Sequence, residues 1–429
     1  MRIVKSALIL AASEGIFVAC HAATLYLYAN RFEEAPLADY LVAMAGIGIA
    51  SCVLSLGLYS AVLYYGAKKS DQPRQAVQIL FTSLTMIGAV GAVLLAVIVV
   101  LADPISRLYF NAPGRTNLLL AASALLIARM VLTITGGYCW SRGSAVPAAL
   151  LKVTVIGLIP LGVVLAARPL DVAWLLGETA LLSLLVLGVF LWREAARAHL
   201  GVRDLFDRSI AKQLLPYGLP RIPAVVGSRA IFALPVVLAT WMGCASLEVV
   251  VIGSSMALLR MLTVSAWAVT VLVMPRISRA SEDDPASVKK NVPRLVLGSI
   301  LVGVAAVGVF MLAGDTVLEW WLQRPGLPTG GITFYFWLSV APFLVFVVTR
   351  PIIDGLSTRA YITLNVLLSI GVMLAGIFVL DRFTGTARAL AVGTALGMTS
   401  LAVLNLVAAR RLMRVRSVEG AVPAEEPMT

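Results

Sequence analysis

Runs of about 20 apolar residues recur along the whole 429-residue chain, and this recurrence limits the fold more than any motif does. Lipid offers the backbone no hydrogen-bond partners. A segment that crosses it must therefore satisfy its own N–H and C=O groups, as a helix does. The period-two alternation of outer-membrane barrel strands is absent. The chain is 60% hydrophobic and 13% charged, against about 25% charged for an ordinary soluble domain. The expectation is an all-α membrane protein.

Turn and charge signals divide the runs into twelve predicted spans: 6–29, 39–65, 77–102, 116–138, 145–167, 172–192, 214–240, 248–274, 292–313, 332–351, 361–380 and 386–408. The start, "MRIVKSALILAASEGIFVACHAA", has the basic end and apolar run of a signal peptide. The run continues to Ala29, which is long enough to span, so it reads as an uncleaved first helix.

Basic residues orient the spans. Of 34 Lys and Arg, 22 fall in one set of loops, including Lys68, Lys69 and the stretch from Arg193 to Lys212; seven fall in the other set. The positive-inside rule puts the richer set, with both termini, in the cytoplasm. The net charge of +12 is accounted for by this insertion bias, and no nucleic-acid partner is implied. Tryptophans 174, 241, 320 and 321 fall near the predicted outer boundary, as an aromatic belt would. Cys20, Cys52, Cys139 and Cys244 lack metal-ligand spacing and read as small membrane residues. No metal or cofactor is called for.

Five basic residues remain inside spans: Arg129, Lys152, Arg221, Arg229 and Arg260. An ionised side chain at the bilayer centre costs about 2.5 kcal/mol or more, and arginine does not relieve this by deprotonating. Arg129, Arg229 and Arg260 lie nearest the middle and are expected to line a wet cationic cavity. Arg221 and Lys152 lie nearer the inner surface, where snorkelling explains them equally well. The intramembrane acids are Glu14 and Glu178, so the local balance suits an anion. Glu14 and His21, seven residues apart, share a face of the first helix. With Glu178 they are candidates for ion coupling. The alternative is that Glu14 pairs with a cavity arginine and His21 bonds a backbone carbonyl.

The seventh span, "LPYGLPRIPAVVGSRAIFALP", carries four prolines. Pro223 removes a backbone bond and is expected to kink the helix. The kink is either passive or a hinge moving Arg221 and Arg229, which would lie about 12 Å apart on a regular helix.

Two stretches echo each other more than 200 residues apart. "VVLADPISRLYFNAPGRTN" and "GVFMLAGDTVLEWWLQRPG" both leave the membrane at an "LA(x)D" and continue as an amphipathic aromatic segment. "GYCWSRGSAVPAALLKVTVIGL" and "GLSTRAYITLNVLLSIGVML" form a second pair. Two six-helix bundles are expected, 1–200 and 201–416, followed by a disordered cytoplasmic tail, 417–429. Each bundle has an even helix count, so they would be related by an axis along the membrane normal, as in parallel-repeat transporters that rock around a midplane site. No Walker A, HExxH or GxSxG stretch occurs, so no enzyme is expected. A lipid-linked glycan polymerase or ligase stays as an alternative, weakened by the shortness of the outer loops.

The stretches "LPYGLPRIPAVVG", "ALLRMLTVSAWAVTVLVMPRISRA", "TRPIIDGLSTRAYITLNVLLSIG" and "LGLYSAVLYYGAKK" resemble the lipid-linked polysaccharide flippases of the MOP exporter superfamily, and within it the Wzx type. The resemblance covers nearly the whole chain. It implies two six-helix bundles in the bacterial cytoplasmic (inner) membrane. It also implies alternating access for an undecaprenyl-pyrophosphate-linked oligosaccharide, an O-antigen or exopolysaccharide repeat unit, with polysaccharide polymerase or assembly proteins as partners beside membrane lipid. Relatives often carry an acid just after the helix 7 arginine. Here "SRAIFALP" has Ile231 and Phe232, which frees Arg229 for an anion. A MATE-type cation-coupled multidrug antiporter is the other member of the superfamily to weigh.

Overall fold

The structure is a computed structural model describing residues 2–69, 72–166, 171–262, 285–327, 331–356 and 361–419. It is helical, with no strand among the described residues. In chain order the helices are α1 Arg2–Arg31, α2 Glu34–Leu54, α3 Leu58–Lys68, α4 Pro73–Val100, α5 Ala102–Phe110, α6 Thr116–Ser141 and α7 Ala145–Ala166. They continue with α8 Val172–Arg197, α9 Arg208–Trp241, α10 246–262, α11 Pro285–Leu322, α12 Ile332–Ile353, α13 Tyr361–Thr384 and α14 Thr386–Glu419. Ten of these are long and apolar enough to cross a membrane. The 30-residue α1 and the described part of α10 take the places of the first and eighth predicted spans. Residues 263–274 of the eighth span and 420–429 of the predicted tail lie outside the described residues; 417–419 are helical.

Side-chain exposure fits a lipid solvent. Leu312 is 90% and Val100 79% exposed, positions water would not tolerate in such number. Several buried hydroxyls bond back to the preceding turn, as Ser83 does to the Ile79 carbonyl and Thr394 to the Leu390 carbonyl, so each finds its partner within its own helix. Trp321 is buried, and its indole N–H donates to the Ala22 carbonyl of α1 at 3.1 Å.

Four elements depart from regular spans, each for a local reason. The second span is broken into α2 and α3 at Leu56 (φ 52°) and Gly57 (φ 66°). Gly218 of α9 packs into this break so closely that a Cβ on it would lie 2.6 Å from the Leu56 carbonyl oxygen. In α7, residues Val153–Leu158 form a π-helical segment. Within it, an added Cβ on Gly157 would stand 3.1 Å from Cys20 Cβ of α1. In α9 the irregularity precedes the expected kink at Pro223: a 3-10 turn occupies Leu219–Arg221, and Pro223 starts the regular helix that follows. The echo between the third and ninth spans is imperfect. α4 stops at Val100 because Pro104 has no N–H and its ring clashes with the carbonyl four residues back. The second copy has no proline there, and α11 runs unbroken through Asp315 to Leu322.

After the break, α5 is tied down. The Tyr109 hydroxyl donates to the Val42 carbonyl at 2.7 Å, over Gly46, where any side chain would collide with it. The Trp241 indole donates to the Tyr109 carbonyl at 3.2 Å, and the Asn111 amide to the Thr240 carbonyl at 3.2 Å.

Packing forms two compact units, Met1–Ala257 with Thr316–Thr329 and Leu258–Asp315 with Gly330–Thr429. In the first, α9 packs along α2, and α6 against α2, α3 and α8. In the second, α13 and α14 are pressed together through the GxxxG pair Gly393 and Gly397, where an added Cβ on Gly397 would meet Met373 Cβ at 2.7 Å. Buried Asn365 and Asn405 reach across the same pair at 3.4 Å.

Candidate functional site

The intramembrane charges of the first unit fall into three groups. Arg129 on α6 and Arg229 on α9 are brought together: each guanidinium lies within electrostatic reach of the other, with the buried Tyr40 hydroxyl of α2 beside Arg129. The cause is local. α9 docks on α2, α2 docks on α6, and an almost continuous buried face from Ala230 to Ala239 carries α9 into the unit. Arg229 is nonetheless exposed, and Arg129 half-buried. No carboxylate lies within ion-pair distance of either among the described residues. Two positive groups therefore lie near each other with no ion-paired carboxylate among the described residues.

The second group is Glu14, Lys152, Phe17 and His21. Glu14 is buried and ion-paired with Lys152, whose ammonium sits 4.8 Å over the Phe17 ring. His21 stacks on the same Phe17 ring at 5.8 Å. Lys152 immediately precedes the π-helical segment. Wide turns of this kind concentrate at functional sites. Sequence reading placed Lys152 with the cavity arginines. The structure gives it to Glu14, and the second Glu14 oxygen, Oε2, is buried without a hydrogen-bond partner.

The third group was not foreseen. Tyr64 and Tyr65 of α3 meet Tyr217 of α9, Tyr64 stacked on it at 4.7 Å and Tyr65 edge-on at 5.6 Å. Lys68 caps the Tyr64 ring at 4.4 Å and Arg221 caps the Tyr217 ring at 3.7 Å. Arg221 also donates to the Tyr217 carbonyl at 2.7 Å. A sequence signal existed: a tyrosine followed four residues later by a cation, in both "YYGAK" and "YGLPR".

The remaining candidates stand apart. Glu178 of α8 is half-buried and makes no ion pair among the described residues. Arg260 of α10 is exposed, belongs to the second unit and makes interactions of its own. A buried carboxylate missed by the span boundaries, Glu194, takes the Tyr138 hydroxyl at 2.7 Å, Arg197 at 2.9 Å and Arg142 at 3.4 Å, and ties α6 to α8. An open hollow of about 430 Å³ lined by Glu33, Glu34, Ala35, Ser246 and Arg324 contains none of the predicted residues.

No protein-family model matches the sequence, and no curated protein matches it. Solved structures do. The chain is similar to an inward-facing multidrug-resistance MATE transporter of the MOP superfamily, with a TM-score of 0.72 and 16% identity over 97% of this chain and 100% of that one. It is similar to an outward-facing MATE transporter of the same superfamily, with a TM-score of 0.69 and 15% identity over 97% and 96% of the two chains. It is also similar to a MOP-superfamily transporter from Pyrococcus furiosus, in which reversed polarity of the binding pocket suggests a different function; the TM-score is 0.69 and the identity 16% over 97% and 96%. At these identities the likeness is one of fold: over nearly its full length, the chain has the all-α membrane fold of the MATE transporters of the MOP superfamily.

Proposed function

We propose that this chain is a transporter working by alternating access, and that it moves an undecaprenyl-pyrophosphate-linked oligosaccharide across the bacterial cytoplasmic membrane. The substrate would be an O-antigen or exopolysaccharide repeat unit, carried from the inner to the outer leaflet. One observation carries the anionic substrate: Arg129 and Arg229 lie together in the helical fold without an ion-paired carboxylate among the described residues. Two uncompensated guanidiniums repel each other and any cationic drug. A pyrophosphate relieves both, since arginine offers planar paired donors to phosphate oxygens. A cytoplasm-negative potential would add about 2.3 kcal/mol per charge per 100 mV in the outward direction. Both termini in the cytoplasm and the bundles 1–200 and 201–416 as the rocking bodies complete the proposal. Arg260, in the second unit, is a separate cationic candidate, and Arg221 is taken up below.

The second reading is a MATE-type cation-coupled multidrug antiporter. Fold likeness to MATE transporters favours it, and so does Glu14, a buried acid on α1 with one oxygen unpartnered. The polymerase or ligase alternative gains no support from that likeness. Deletion and complementation separate the two. Loss of surface polysaccharide, restored by the wild type, by Arg229→Lys in part and by Arg229→Ala not at all at equal membrane abundance, supports the flippase. Unchanged glycan with new drug sensitivity overturns it in favour of the antiporter.

A further inference from the structure

We propose that Lys68 and Arg221 form a second, shallower anion-receiving site, which two tyrosines hold closed until a phosphate-bearing substrate arrives. The proposal rests on the anionic-substrate reading above and adds a site to it. The four side chains make one ladder, cation on ring, ring on ring, ring under cation, running Lys68, Tyr64, Tyr217, Arg221. It joins α3 to α9 at the end of the molecule that the basic loops assign to the cytoplasm. Beside Tyr217, the Gly57 and Gly218 backbones touch with no room for a Cβ on either, so the two segments are in close contact here.

Nothing about this contact requires charge. Two tyrosines and two glycines would fasten α3 to α9 without cations. Yet both outer faces carry one, Lys68 exposed and Arg221 half-buried, and among the described residues neither has a carboxylate within ion-pair distance. A cation resting on a partly exposed ring such as Tyr64 is held weakly. The same cation sharing charge-assisted hydrogen bonds with a phosphate is held more strongly. A pyrophosphate therefore draws Lys68 and Arg221 off their rings. That strips the ladder of its ends, and the α3–α9 contact loosens beside the path to Arg229, two helical turns further along α9. The anion would thus unlock its own way to the deeper pair.

Competition between ring and anion gives a test that simple charge attraction does not. The full chain in nanodiscs of neutral lipid is titrated with inorganic pyrophosphate by calorimetry. The expected result is two sites per chain: Lys68→Gln with Arg221→Gln abolishes one, and Arg129→Gln with Arg229→Gln the other. Tyr64→Leu keeps both cations but removes a competing ring, and the shallow site then binds about two- to five-fold tighter. Unchanged or weaker binding in Tyr64→Leu overturns the proposal even if the double variant fails to fold. Loss of all binding in Arg129→Gln with Arg229→Gln alone overturns it while leaving the transport reading intact. Loss of neither site in either double variant overturns both. Repeating the titration with a short-chain polyprenyl pyrophosphate identifies the source of the anion. Tighter binding that the Lys68→Gln, Arg221→Gln variant loses assigns the site to a lipid head group, and equal binding assigns it to the free anion.

Discussion

Glu14 and Lys152 offer the sharpest separation of scaffold from mechanism. Two unit charges 4 Å apart interact by about 4 kcal/mol at an effective dielectric of about 20. The Glu14 side chain is 11% exposed and that of Lys152 33%, so solvent screens part of this, and we expect a coupling of about 2–3 kcal/mol. Glu14→Gln removes the carboxylate partner of an ammonium that also sits 4.8 Å over the Phe17 ring, and should cost about that coupling. Lys152→Met is worse, about 3–5 kcal/mol, because it strands a carboxylate that already has one unpartnered oxygen. Replacing both groups together should come close to neutral, since neither charge is left buried alone. Reversible unfolding of the four proteins in one detergent gives the double-mutant cycle. Effects that add within about 0.5 kcal/mol would show that the two groups do not interact and would refute the reasoning. Transport by the stable double variant then assigns the role. If it transports with wild-type dependence on the proton gradient, the pair is structural. If it is stable but inactive, Glu14 or Lys152 carries the coupling.

Three further outcomes follow from local geometry. Gly218→Ala forces a Cβ to 2.6 Å from the Leu56 carbonyl oxygen, so the α2–α3 break must shift, at about 1–3 kcal/mol by unfolding; a neutral substitution would mean that the contact is loose. Asp207 caps α9, its carboxylate taking the Ser209 N–H at 2.7 Å, the Ser209 hydroxyl at 2.6 Å and the Ile210 N–H at 3.2 Å. Its bonds to Ser209, then to the Ile210 N–H, hold its pKa below the ordinary carboxylate value. A depressed folded pKa gives stability that is full above the unfolded value and is lost as pH falls through the folded one. Asp207→Ala should therefore cost about 1 kcal/mol at neutral pH and little in strong acid, with Asp207→Asn near wild type at neutral pH; an equal cost at all pH values would rule out the charged cap. Pro104→Ala should let α4 run on past Val100, as α11 does, pulling Tyr109 from the Val42 carbonyl; a cysteine at position 109 should then label more readily in cells, and unchanged labelling would show that Pro104 does not set the break.

The membrane itself made most of the fold legible. Ten spans emerge as helices because a 20-residue apolar run in lipid has no other way to satisfy its backbone. The departures are steric, and a hydrophobicity pattern does not register them. The break at Leu56–Gly57 exists because Gly218 approaches from a helix 160 residues away, and "SLGLY" alone does not announce it. The π-helical turn after Lys152 has no residue signature, and only its setting against Cys20 of α1 distinguishes it. "LADP" and "LAGD" look alike in hydrophobicity, yet the single proline decides that one helix ends where the other runs on.

The charges show the same division. That five cations and two acids inside spans must be explained follows from the cost of ionisation in lipid, whatever the fold. Which of them meet depends on helix neighbours. Lys152 and Arg229 look alike in sequence, each a cation in an apolar run. Yet α7 lies on α1, which offers Glu14, while α9 lies on α2, near α6, which offers a tyrosine and a second arginine. One cation is therefore ion-paired within the protein while the other lies beside a second arginine, and the difference was made by packing. The tyrosine ladder is the opposite case. Its spacing, tyrosine to cation at four residues, stood in the sequence twice, but near the predicted inner boundary, where a cation needs no explanation. Only the stacking of Tyr64 on Tyr217, from two distant helices, turns two ordinary boundary cations into opposite ends of one contact.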